Sequence, residues 1–328
     1  FNGLLWWFRN EANVIRFGET IMLLQVSGRC DICAMYPKWL FNRLKEGYVL
    51  VRNPYNNQLV SHVDISPDVV DCICFLTKDP KPIMPYLKTI KQMGYQYYFM
   101  VTITPYDQDI EPNLRAKLEI MKTFVSLSKM IGKKRVIWRY DPILLNKRYT
   151  TEFHYQMFEK MCRILAKYTD IVIISFIDIY KNIAGKFDEI DEEDVLKIAQ
   201  QFGKIAKKYQ IKIQTCSEKY HLEQFGINHG SCIDKEYLES LLKTTLNIKT
   251  NTNRKHCHCL ASIDIGAYNS CIHGCKYCYA CTSNQVYKNI GLHDENSPLL
   301  IGHLTDEDKV VKRKVCSNQE RQLQFDSL

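Results

Sequence analysis

Six apolar runs recur along the chain, each followed by an amphipathic stretch, and that alternation leaves few folds open. The runs are MLLQV (22–26), VVDCICFL (69–76), YYFMVTIT (97–104), RVIWRY (135–140), DIVIISFID (170–178) and IKIQTC (211–216). Each is nearly continuous in apolar residues, which suits a strand buried on both faces of a parallel sheet. The stretches between them predict helices over 37–47, 82–94, 113–132, 151–168 and 191–209. The first has Pro near its start and Gly at its end, the usual polarity of helix signals. In the third, Leu114, Leu118, Met121, Phe124 and Leu127 are expected on one buried face. The last opens on Asp and Glu and closes on Lys, which complements the helix dipole. The fold class is therefore α/β, a six-unit partial (β/α) barrel resembling a TIM barrel. The segment 48–66 interrupts it as an extra hairpin turning at Asn56–Asn57.

The barrel is expected over 22–218. Residues 1–21 read as an N-terminal extension with a brief apolar patch, Leu4 to Phe8, and no secretory h-region. Residues 219–328 read as a cysteine-rich segment packed on the barrel, with a short helix over 236–243 and a polar loop, NIKTNTNRKHCHC. Nothing approaches the ~20 apolar residues that span a bilayer, so no membrane partner is expected. The net charge of +8 assists anionic partners but includes no long basic tract. Twenty Tyr and fourteen Phe fall largely in strand and helix patterns, where core packing explains them. Fourteen cysteines in 328 residues are too many to ignore, yet the chain is too long to need a disulfide scaffold. A reducing cytoplasm is the expected location, and there clustered cysteines point to metal or redox chemistry.

In a barrel of this kind chemistry gathers where strands end and loops begin. Those positions hold Arg29 and Asp31 after the first run, Lys78 after the second, Arg139 and Asp141 after the fourth, Asp178 after the fifth and Glu218 after the sixth. These are the candidate catalytic and binding residues. Individually, Asp31 and Asp79 fit equally well as helix N-caps.

The densest cysteine segment is CIHGCKYCYAC, 271–281. Cys271, Cys275 and Cys278 put three thiols on one tight loop, Gly274 lets it turn, and Tyr277 can pack over a ligand. Three ligands leave one iron of a four-iron cluster open to a small molecule. This C-x3-C-x-aromatic-C spacing resembles that of the radical S-adenosylmethionine enzymes. The resemblance implies a [4Fe-4S] cluster held by Cys271, Cys275 and Cys278, with S-adenosylmethionine on the open iron. It also implies an electron donor such as flavodoxin or ferredoxin, and hydrogen abstraction from a substrate. Two features depart from that superfamily: the loop follows the last strand and not the first, and no Gly-Gly-Glu-like run follows the second strand. GCKYCY is also similar to the cysteine loop of the spore photoproduct lyases, so the substrate is a small molecule or a nucleic acid.

The whole pattern resembles an uncharacterised bacterial family, domain of unknown function 1848. The resemblance rests on VSGRCDI (26–32), EGYVLVRNPYN (46–56), WRYDPIL (138–144), HGSCID (229–234), SIDIGAYNSCIHGCKYCYA (262–280) and HDENSPLL (293–300). It implies an iron–sulfur site of unknown substrate. Cys216, Cys232, Cys257 and Cys259 also fit the family pattern, as a closed set for a second [4Fe-4S] cluster or a zinc ion. His256 and His258 flank the last pair, as substitute ligands or as part of an exposed basic loop. Cys281 is a spare ligand. Cys30 and Cys33 read as small residues of a strand-end loop, and Cys72, Cys74, Cys162 and Cys316 as core or surface residues. Two other functions fit the same features: a metal-clipped nucleic-acid-binding barrel and a two-cluster electron-transfer protein.

Overall fold

The computed structural model describes residues 22–250, 256–281, 283–315 and 317. The expected extension over 1–21 and Cys316 lie outside the described residues. The first strand is β1 (Leu23–Val26), followed by the short helix α1 (Ile32–Met35) and by α2 (Pro37–Glu46). Pro37 stands in the first turn of α2, and Gly47 ends it in the left-handed region at φ 78°. The expected hairpin is β2 (Tyr48–Arg52) and β3 (Leu59–Asp64). Then follow β4 (Cys72–Thr77), α3 (Leu87–Gln92), β5 (Tyr97–Thr102), α4 (Lys117–Ile131), β6 (Val136–Ile143), α5 (Thr151–Leu165) and β7 (Ile171–Phe176). Next come α6 (Glu192–Tyr209), β8 (Lys212–Cys216), β9 (Asn228–Gly230), α7 (Lys235–Leu242), β10 (Ile263–Asp264), α8 (Ser283–Ile290) and β11 (Lys309–Lys312). Side-chain caps start several helices: Thr150 accepts from the Phe153 N–H at 3.2 Å and Asp191 from the Asp194 N–H at 2.8 Å.

The main sheet has eight strands in the order β10-β1-β4-β5-β6-β7-β8-β9, and all its pairings are parallel. All six expected runs are strands of its centre. It gains two more from the segment expected to be only a cap. β9 and β10 have three residues and two residues, too few to show any periodicity. They stand at opposite edges, and no ladder joins them among the described residues. The molecule is thus an α/β fold around a large parallel eight-stranded sheet. β11 pairs with β3 in a separate three-stranded sheet.

Strand alternation sends two sets of side chains to two cores. Val26, Phe75, Phe99, Trp138, Ile174 and Ile213 join the helices in the larger one. Leu23, Cys74, Met100, Ile137, Ile173 and Cys216 line the other face, with Leu238 and Leu260 over them. α4 starts at Lys117, later than expected, and buries Ile120, Phe124 and Leu127 while Leu118 is exposed. The residues before it are engaged elsewhere: Asn113 donates to the Ile272 carbonyl at 2.6 Å, Leu114 is in the core and Arg115 pairs with Asp79 at 2.5 Å.

α5 and α6 meet through Phe158 and Phe202, stacked with ring centroids 3.9 Å apart, with Tyr140 edge-on to both. Phe202 is fully buried, so Phe202→Ala is expected to lower unfolding free energy by about 3–5 kcal/mol in urea titrations. Nearby, His154 is fully buried between the Tyr140 hydroxyl at 2.7 Å and the Leu144 carbonyl at 2.9 Å. Burial lowers its pKa from 6.5 to about 4. The unfolded chain takes up this proton first, so the stability is whole above the ordinary histidine value and is lost as pH falls toward 4. The loss amounts to about 3 kcal/mol. Urea midpoints of wild type and His154→Gln between pH 7 and pH 4 test this: the variant should lose less.

Candidate metal and substrate site

The loop that carries Cys271, Cys275 and Cys278 lies against the carboxyl ends of β1, β4 and β5. Two buried carboxylates hold it there. Asp31 caps α1 by accepting from the Ala34 N–H at 3.1 Å, and its other oxygen accepts from the Lys78 N–H at 2.7 Å. That same oxygen lies 2.9 Å from His273 Nε2, inside the cysteine loop. Asp31 is therefore both an N-cap and a rim residue. Glu111, 1% exposed, accepts from Lys78 Nζ and from the Thr104 hydroxyl, each at 2.8 Å, and from Lys117 and the Tyr277 hydroxyl. The Lys78 ammonium also sits 5.3 Å from the Tyr277 ring centroid. Burial pulls both lysines down, Lys117 to about 7, where the charge of Lys78 adds to the effect.

Backbone contacts complete the clamp. Asn113 donates from its side chain to the Ile272 carbonyl at 2.6 Å, the Lys276 N–H donates to the Ile110 carbonyl at 2.9 Å, and Asn182 donates to the Cys278 carbonyl at 2.8 Å. Gly274 has φ 68°, and a Cβ there would lie 3.1 Å from Pro112, so the turn needs glycine on both counts. The three thiols are half-buried, and Cys281 lies beside them, hydrogen-bonded to Cys278. Burial raises the Cys275 thiol, and Lys78 and Lys117 oppose that rise. Cys30 is buried and donates to the Ser270 carbonyl at 3.5 Å, next to Cys271. Cys33, Cys72, Cys74 and Cys162 are buried.

The remaining rim residues are mostly paired. Arg29 donates to the Asp264 carbonyl at 2.7 Å, while the Asp264 carboxylate accepts from the Ser27 hydroxyl at 2.6 Å and the Gly28 N–H at 2.7 Å. Arg139 lies on the face of β6 opposite Trp138 and Tyr140, pairs with Asp141, and keeps a buried Nε without a partner. Burial opposes its charge, but Asp141, Cys232 and Cys216 outweigh it and the guanidinium stays charged. Glu218 accepts from the Ser175 hydroxyl at 2.8 Å and the Phe176 N–H at 2.7 Å, and burial raises it to about 7. Asp178 is exposed, accepts from the Tyr180 hydroxyl at 3.3 Å, and its charge adds to the rise of Glu218.

A second cysteine cluster lies at the end of β8. The sulfurs of Cys216, Cys232 and Cys259 all lie within 4.8 Å of one another, with Cys216 and Cys259 at 3.6 Å. The Cys232 N–H donates to the Cys216 sulfur at 3.3 Å. Cys257 reaches hydrogen-bonding distance of both Cys216 and Cys259. Hydrogen bonds from Cys216 and Cys259 hold the Cys232 thiol well below its ordinary value. His258 is exposed and its ring lies 5.2 Å from that of His229, while His256 is also exposed.

Sequence reasoning missed Glu111, Lys117, His273 and Asp264. His273 and Asp264 lie inside the quoted segments 271–281 and 262–280 without carrying their spacing, and Glu111 sits in an ordinary polar loop. Its partners Lys78 and Tyr277 are 33 and 166 positions away, so only folding brings them together.

The family described as Domain of unknown function (DUF1848) matches residues 23–280. The chain belongs to this family. The match spans the parallel sheet through β10, both buried carboxylates and all three cysteines of the loop. No curated protein matches the chain. Among solved structures, a Bacteroides thetaiotaomicron protein assigned provisionally as an alpha-L-fucosidase is similar at 13% identity over 53% of this chain and 72% of its own. Its TM-score is 0.24, too low to carry any argument about this family.

Proposed function

We propose that the protein is a radical S-adenosylmethionine enzyme whose [4Fe-4S] cluster is held by Cys271, Cys275 and Cys278. The observation that carries this reading is the placement of the three-thiol loop at the carboxyl ends of the parallel strands, beside Lys78, Arg139 and Asp141. The donor set fits such a group. Unlike the cluster at β8, these three sulfurs do not all close to within 4.8 Å of one another, which suits ligands on separate irons. When bound, the cluster and S-adenosylmethionine would supply reductive cleavage of the sulfonium and a 5′-deoxyadenosyl radical that takes hydrogen from the substrate.

The chain's own residues position and shield. Asp31 and Glu111 fix the loop, Tyr277 is anchored by its hydroxyl, and Lys78 and Lys117 put positive charge beside the thiols. Arg139 keeps a buried N–H without a partner, suited to a carboxylate of S-adenosylmethionine or substrate. Arg29 is held by Asp264, and Asp141, Asp178 and Glu218 complete the acidic side of the rim.

The test is an anaerobic reconstitution with iron and sulfide, followed by dithionite or reduced flavodoxin and S-adenosylmethionine. Formation of 5′-deoxyadenosine with about four irons or more per chain supports the reading. Zinc in place of iron at the loop would overturn it.

A further inference from the structure

We infer that Cys216, Cys232, Cys257 and Cys259 hold a single tetrahedral zinc ion that ties the two edges of the parallel sheet together. This goes beyond the proposed function and does not rest on it.

The sulfur geometry selects the ion. Cys216 and Cys259 are 3.6 Å apart, far beyond the about 2.05 Å of a disulfide. Four thiolates at about 2.3 Å from one zinc stand about 3.8 Å from each other along the tetrahedron's edges. The observed spacing, with Cys232 within 4.8 Å of both, matches that edge. In a four-iron cluster each thiolate binds its own iron and points outward from a separate corner, so ligating sulfurs do not touch. Cys257 supplies the fourth ligand from two residues before Cys259; its sulfur is within reach of Cys216 and Cys259 but outside the mutual 4.8 Å of the other three, so its side chain turns inward to complete the set. All four positions are then protein thiolates, the closed arrangement of a structural site.

The surroundings fit the charge. Four thiolates around zinc carry two negative charges, and the Arg139 guanidinium lies beside Cys216 and Cys232. The Cys232 N–H already donates to a ligand sulfur.

The position gives the ion its task. Cys216 ends β8, Cys232 follows the edge strand β9, and Cys257 and Cys259 lead into β10, the other edge. Among the described residues one backbone hydrogen bond crosses this gap, from the Leu260 N–H to the Ile233 carbonyl at 2.9 Å. One ion bound by all four thiolates would close the ring that the strand ladders leave open.

The experiment uses the triple variant Cys271→Ser, Cys275→Ser, Cys278→Ser, which removes the loop proposed to hold the other cluster. The protein is produced with both iron and zinc supplied and is purified anaerobically. About one zinc per chain is expected, without sulfide, and the zinc absorption edge should report four sulfur neighbours at about 2.3 Å. Cys232→Ser and Cys259→Ser, each in the otherwise native chain, should lose that zinc. Iron with sulfide in the triple variant would overturn the inference, as would a protein that retains no metal. One iron without sulfide would overturn the choice of zinc. Because the absorption spectrum is recorded with all four ligands present, misfolding of a serine variant does not decide the outcome. Zinc bound here alongside a native chain that makes no 5′-deoxyadenosine would leave this inference standing and count only against the enzymatic reading.

Discussion

Replacing Cys275 by alanine is expected to bring 5′-deoxyadenosine formation down to the level without protein, and to cut iron and sulfide at the loop, while the fold persists. Cys275 is half-buried in a surface turn and belongs to neither apolar core. Its loss leaves Asp31, Glu111 and the backbone clamp of the loop intact, so stability should change little. Two thiols cannot hold three irons of a cluster, so the chemistry goes with the ligand. Iron and sulfide assays, chromatography of the nucleoside product and far-ultraviolet circular dichroism read the three parts separately. Undiminished product would remove Cys275 from the ligand set.

Glu111→Ala should be among the most destabilising single changes in the molecule. One fully buried carboxylate serves Lys78, Lys117, Thr104 and Tyr277. Removing it leaves two largely buried ammonium groups beside each other without their ion-pair partner, with Asp31, Asp141 and Asp107 acting only from farther away. Breaking a buried ion pair from one side costs about 3–5 kcal/mol. The cost appears partly as neutralised lysines, since burial already lowers both. Glu111→Gln keeps the shape and can still accept from Thr104, so it should lose less. Denaturant titrations of both variants give the comparison. The same variants should also loosen Tyr277 and with it the cysteine loop, seen as faster loss of reconstituted iron to a chelator. Equal stability of Glu111→Ala and wild type would show that the carboxylate is dispensable.

The six central strands were legible because each is a near-continuous apolar run of five residues or more, long enough for a period to show. The edges were not legible. β9 reads Asn-His-Gly and β10 Ile-Asp, and such short polar pieces become strands only because β8 and β1 present free backbone groups beside them. α4 carried a helical stripe whose first members, Leu114 and Leu118, proved respectively to precede the helix and to face solvent. Pattern alone does not tell a residue recruited by a distant loop from one recruited by its own helix.

At the site, spacing was informative where the ligands are close in sequence. Cys271, Cys275 and Cys278 share one turn, and a turn's chemistry is local. Grouping Cys216 and Cys232 with Cys257 and Cys259 came from the resemblance to the family, but their mutual distance did not. That distance, which separates a single-ion cage from a cluster site, depends on how β8, β9 and the approach to β10 meet. Glu111 and Asp264 were invisible for the same reason. Hydrophobic period and ligand spacing act over a few residues and can be read along the chain. The partners of a buried carboxylate are chosen by which loops the folded sheet sets side by side, and here they come from strands and turns as much as 242 positions apart.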